Sequence, residues 1–101
     1  MIKRKLSASK LKKVANILKT ISHPVKLEIL EILEQFIELD VTTIREKLKM
    51  KCEISMLSHH LSKMKDNGIL MSDKKGKQVF YSISDRNILK IFECMENCSL
   101  V

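Results

Sequence analysis

Apolar residues recur every three or four positions through most of this 101-residue chain, and the period breaks in one region only. Between residues 7 and 21 they fall at Leu11, Val14, Ala15, Leu18 and Ile21, with Lys10, Lys12, Lys13 and Lys19 on other faces. That spacing predicts an amphipathic helix. Ser22-His23-Pro24 follows, and the proline suits the first position of a second helix, where its missing N–H would have no partner anyway. From Val25 to Gln35 the apolar side chains Val25, Leu27, Ile29, Leu30, Ile32 and Leu33 spread almost all round, which predicts a buried central helix. Asp40-Val41-Thr42-Thr43-Ile44 reads as a third start, with the Asp40 carboxylate placed to accept from first-turn backbone N–H groups. This helix is short, ends near Lys49, and turns Ile44 and Leu48 inward. Met50-Lys51-Cys52 makes a brief turn before a fourth helix, about 53–67, which stops at Gly68, a residue that tolerates φ > 0 after a helix end.

After Gly68 the period changes. Ile69–Ser72 and Gln78–Ile83 are β-prone and flank Asp73-Lys74-Lys75-Gly76-Lys77, which predicts a β-hairpin with a basic tip. Asp85 then caps a last helix, about 86–98, whose apolar stripe is Ile88, Ile91, Phe92, Met95 and Cys98. The fold class is therefore mainly α with a small β-hairpin, in the order α-α-α-α-β-β-α. Two short helices joined by a tight turn, with a hairpin behind them, make a winged helix-turn-helix. One domain of residues 1–101 is expected, with the helix-turn-helix at about 40–67 and the wing at about 69–83.

The fourth helix carries Ser58-His59-His60, two of the three histidines in the chain. On a helical wheel Ile54, Leu57, Leu61 and Met64 cluster on the core side. Ser55, Met56, His59, Ser62, Lys63 and Asp66 lie opposite, with Ser58 and His60 on the flanks. Adjacent histidines on a helix point about 100° apart and do not share one ion, because helical ligand pairs use i,i+3 or i,i+4. Nucleophilic catalysis by Ser58 with a histidine base lacks an orienting acid and an oxyanion arrangement, so no enzyme is expected. Serine, histidine and lysine side chains all reach base edges or phosphates.

Charge sharpens that choice. The net charge is +7 and the pI about 9.5, which on so small a domain points to a polyanionic partner, nucleic acid before an acidic membrane surface. Aromatics are 4% with no Trp, which favours duplex DNA over single strands gripped by base stacking. Base-edge candidates are Ser55, Met56, Ser58 and His59 with Lys63, and His60 at the flank. Phosphate candidates are Lys74, Lys75 and Lys77. No run approaches the roughly 20 apolar residues needed to span a bilayer. The basic start, Met1-Ile2-Lys3-Arg4-Lys5, has no long apolar segment after it, so neither a signal peptide nor a membrane role is expected. Three cysteines without zinc-ribbon spacing suggest reduced thiols and a cytoplasmic setting.

The stretches "ISHPVKLEIL", "LSHHLSKMKDNGIL" and "KKGKQVFYSI" resemble the ArsR-type (ArsR/SmtB) winged-helix regulators over nearly the whole chain. Where that family usually has an aspartate, a proline and an arginine before an Ile-Leu pair, this chain has His23-Pro24 and Lys26. The family's Ser-His-His-Leu is Ser58 to Leu61 here, and its Gly-Leu-Val hinge reads Gly68-Ile69-Leu70. The resemblance implies a homodimeric transcriptional repressor, with the Ser-His-His-Leu helix in the major groove and the wing on the backbone. It also implies dimerisation through the first and last helices, about 7–21 and 86–98. Both carry apolar stripes larger than a monomer of this size needs to cover. The alternative from another class is a winged-helix module that binds protein and not DNA.

The same resemblance bears on a sensor. The family's Cys-Val-Cys site at the third helix is Asp40-Val41-Thr42 here, without thiols. A second family site joins residues near the start of the last helix to residues near its end, across the dimer, and corresponds to Asp85, Asn87, Cys98 and Val101, of which Asp85 matches and Cys98 is able to ligate. Cys94 and Cys98, one turn apart, are the remaining metal or oxidant candidates, against packing as small apolar side chains. Cys52 reads as core filler, and His23 as a helix-start residue. No cofactor is expected, a metal ion is not supported by the usual thiolate motif, and any effector is unknown.

Overall fold

In the computed structural model, which describes residues 5–101, the chain forms five α-helices and a three-stranded antiparallel sheet. The basic start Met1-Ile2-Lys3-Arg4 lies outside the described residues. The first helix, α1 (Ala8–Ile21), begins at Ser7, whose hydroxyl accepts from the Lys10 N–H. The second, α2 (Pro24–Glu34), carries Pro24 at its first turn and takes His23 as N-cap, with the imidazole Nδ1 accepting from the Val25 N–H at 3.2 Å. Its Ile29, Leu30 and Leu33 are completely buried, as expected of a central helix.

The sequence pattern missed a strand. Leu39–Asp40 forms β1, only two residues long, which pairs antiparallel with the later strand β3 (Gln78–Ile83) through Leu39↔Tyr81 and Asp40↔Phe80. Two residues are too few to show a period of two. Asp40 therefore ends a strand and starts α3 (Val41–Lys47) at once. It is the N-cap, but its carboxylate does not take the backbone N–H groups foreseen from the sequence. It accepts instead from the Thr43 hydroxyl and, at 3.3 Å, from Gln78 Nε2.

Helix α4 (Ile54–Asp66) follows the turn and ends as the sequence foretold. Gly68 adopts φ 77°, its N–H bonds the Lys65 carbonyl, and the Ile69 N–H reaches back to Met64. This is the Schellman arrangement, with Ile69 and Met64 both buried against the core. Strand β2 (Leu70–Lys75) then pairs with β3 from Leu70↔Ile83 to Lys75↔Gln78. Gly76-Lys77 form the two-residue turn, and Gly76, at φ 63°, supplies the positive torsion that a primed hairpin turn requires. The strands thus run further toward the tip than Ser72, and Asp73, Lys74 and Lys75 belong to β2.

The last helix differs from the expected 86–98. Arg86–Leu89 is a 3₁₀ turn, capped by Asp85 accepting from the Asn87 N–H at 2.9 Å, and α5 (Lys90–Glu96) continues from it. Cys98 lies beyond the helix end. Arg86 anchors this segment: its guanidinium donates to the carbonyls of Leu33, Glu34 and Phe36 and so caps the end of α2. One core joins α2, α3, α4 and the sheet through Leu30, Leu33, Ile44, Leu57, Leu61 and Tyr81. Burial of each large apolar side chain there contributes roughly 1.5–3 kcal/mol.

Candidate nucleic-acid interface

The candidate site is the outward side of α4, the turn before it and the hairpin tip. Leu57, Leu61 and Met64 are completely buried and hold the helix against the core. Ser55, Met56, Ser58, His59, Ser62 and Lys63 are all exposed on the other side. A helix held by one stripe presents such a face to solvent at no cost in buried polar groups.

Two residues depart from the wheel. Ile54, assigned inward, is 43% exposed, because it is the first residue of α4 and no earlier turn covers it. His60, assigned to the flank and to DNA contact, is only 7% exposed. Its ring stands 4.6 Å from that of His23 and 6.5 Å from that of His59, centroid to centroid. Its Nδ1 is buried without a hydrogen-bond partner. Burial, with His23, Lys26 and His59 nearby, lowers its pKa below the ordinary value. The structure thus places His60 under the surface, apart from the exposed row of α4.

The turn between α3 and α4 is fixed from two sides. Glu28 of α2 is 7% exposed, and its two carboxylate oxygens accept from the backbone N–H groups of Lys49, at 2.8 Å, and Met50, at 3.1 Å. Arg45 Nε donates to the Cys52 carbonyl at 3.1 Å. Cys52 itself is half-buried against the core, in keeping with a filler role. Sequence reasoning passed over Glu28. An acid among Leu27, Ile29 and Leu30 on a helix apolar nearly all round was the available signal.

At the hairpin tip Lys74, Lys75 and Lys77 are exposed, but they are not equivalent. Lys75 forms an ion pair with Glu38 and stands 5.2 Å over the Phe80 ring. The Glu38 carboxylate it bonds raises its pKa above the usual lysine value. Lys74 and Lys77 have no such partner among the described residues.

The sensor candidates are scattered. Asp85 is engaged in its cap, Cys94 is exposed on α5, and Cys98 is half-buried beyond it, all cysteines being free thiols. Among the described residues no three His, Cys, Asp or Glu side chains converge as a metal-ligand set. No described helix is long and apolar enough to cross a membrane. The first helix leaves Leu11, Val14 and Leu18 exposed, the outer two by about half. Near its end, Ile17 lines a cleft with Ile88 of the 3₁₀ turn. Asn16 Nδ2 of α1 donates to Asn67 Oδ1 at the end of α4, 3.0 Å away.

The chain is 31% identical over 94 residues to the transcriptional repressor PagR of Bacillus anthracis, covering 93% of this chain and 92% of that one. It is 32% identical over 87 residues to an HTH-type transcriptional regulator of Methanocaldococcus jannaschii, covering 86% and 96%. The crystal structure of PagR superposes with a TM-score of 0.75 over 88% of this chain and 99% of that one. HlyU from Vibrio cholerae, 24% identical, shares the fold with a TM-score of 0.76, over 94% of this chain and all of that one. No protein-family profile matches the chain.

Proposed function

This chain belongs to the ArsR-type winged helix-turn-helix transcriptional regulators, and we propose that it is a homodimeric repressor reading a pseudo-palindromic operator with the outward side of α4. The chain is a DNA-binding regulator and not an enzyme. The observation that carries the finer reading is the exposed row of Ser55, Met56, Ser58, His59 and Lys63, seated on a fully buried Leu57–Leu61–Met64 stripe beside a lysine-tipped hairpin. In a major groove such a row offers hydroxyls and an imidazole to base edges, and the thioether and Ile54 to thymine methyl groups. Lys74 and Lys77 serve as phosphate contacts that set register.

Dimerisation is supported by the uncovered stripe of α1. A second copy related by a two-fold axis buries Leu11, Val14 and Leu18 against their counterparts and spaces two copies of α4 for successive half-sites. A cytoplasmic setting follows the transcriptional-regulator relatives. The test is a binding titration of the chain on the DNA upstream of its own gene, against a scrambled duplex of equal composition. Preference for the native duplex with two chains bound per site supports the reading. Equal binding to both duplexes overturns it.

A further inference from the structure

We propose that Glu28 is a positioning residue for DNA reading: from the buried side of α2 its carboxylate holds the turn that aims α4. This rests on the DNA-reading role of α4 given above.

The turn needs such a device. Leu48 closes α3 by donating its N–H to the carbonyls of Ile44 and Arg45, so the next two backbone donors, at Lys49 and Met50, have no helical acceptor. Glu28 supplies one oxygen to each. Bonds from neutral N–H groups to a carboxylate are charge-assisted and stronger than amide–amide bonds. On the far side Arg45 holds the Cys52 carbonyl, immediately before Glu53. Glu53 is the N-cap of α4, yet its side chain makes no capping bond. The start of α4 therefore depends on the turn for its direction. Because Glu28 is nine-tenths buried and its oxygens are engaged by Lys49 and Met50, its effect on DNA passes through the turn.

The expected signature is loss of discrimination with retention of electrostatic binding. In Glu28→Ala the preference for the native over the scrambled duplex falls about tenfold, while the salt dependence of binding stays as in the wild type, since phosphate contacts persist. Glu28→Gln keeps one acceptor oxygen and recovers part of the preference. Amide exchange at Lys49 and Met50 speeds up in both variants. A folded Glu28→Ala chain that discriminates as well as the wild type overturns the assignment. If Glu28→Ala does not fold, Glu28→Gln decides: faster exchange at both amides with unchanged discrimination overturns it equally. A wild-type chain that binds no duplex overturns the DNA-reading role itself, a different failure.

Discussion

His60 of α4 packs its ring 4.6 Å from that of His23, the residue that caps α2, and does so with a buried Nδ1 that bonds nothing. His60 thus joins α4 to the start of the central helix through two neighbouring imidazoles. Its pKa is lowered by burial first, then by His23, Lys26 and His59. With the folded value below the unfolded one, its contribution to stability is fully present above about 6.5 and is lost as pH falls through the lowered value. Thermal unfolding followed from about pH 7.5 to about pH 5 is expected to show a falling midpoint. His60→Leu, which removes the unpartnered nitrogen at similar volume, flattens that dependence and leaves neutral-pH stability equal or higher. An unchanged slope in the variant would show that other groups set it.

His59, one residue away, is exposed on the side of α4 proposed to face DNA. His59→Ala is expected to reduce discrimination between native and scrambled duplexes by about 1–3 kcal/mol if the imidazole reads a base edge. Competition titrations measure this, and thermal stability should stay within about 0.5 kcal/mol, the usual range for surface changes.

The three wing lysines separate by partner. Lys74→Ala and Lys77→Ala each weaken binding to all duplexes and lower the salt slope by about one. Lys75→Ala has a smaller effect, because Glu38 already occupies its ammonium. Glu38→Gln then releases Lys75 and tightens binding in low salt. Equal effects for all three lysines would exclude this division.

Uncovered leucines on α1 give a test of assembly. The double substitution Leu11→Glu with Leu18→Glu is expected to shift sedimentation from a dimer to the 11.7 kDa single chain. Helix content should persist, since both side chains stand about half exposed in the isolated chain. A dimer that survives the change would place the interface elsewhere.

Treatment with a chelator is expected to leave both the unfolding midpoint and operator binding unchanged. Asp85 has one carboxylate oxygen on the Asn87 N–H, and no three ligating side chains converge among the described residues of a single chain. Loss of DNA binding on chelation, restored by one metal, would assign a site that these contacts do not explain.

Much of the fold was legible because its punctuation is local. Pro24, Asp85 and Gly68 each mark a boundary through their own local chemistry, and all three stand where the sequence put them. What escaped depends on distant partners. β1 exists because β3 lies beside it, and Asp40 bonds Thr43 and Gln78 once Gln78 has been brought near. On the wheel Ile54 sits closer to the core stripe than His60 does. The structure inverts them, because Ile54 is a helix end with nothing above it and His60 is covered by His23 from another element. A wheel knows direction but not coverage. The same limit hid Glu28, whose partners are 21 and 22 residues away.

Gly76 interrupts the run of lysines at the hairpin tip. An added Cβ there would meet nothing within 4 Å, so crowding does not keep a side chain out. The φ of 63° does, since a residue with a Cβ is strained in that conformation. A fourth lysine at this position would add a charge and distort the turn that presents the others. The density of positive charge at the tip thus has a ceiling set by a torsion angle, and a firmer hold on a polyanion has to be sought along the strands.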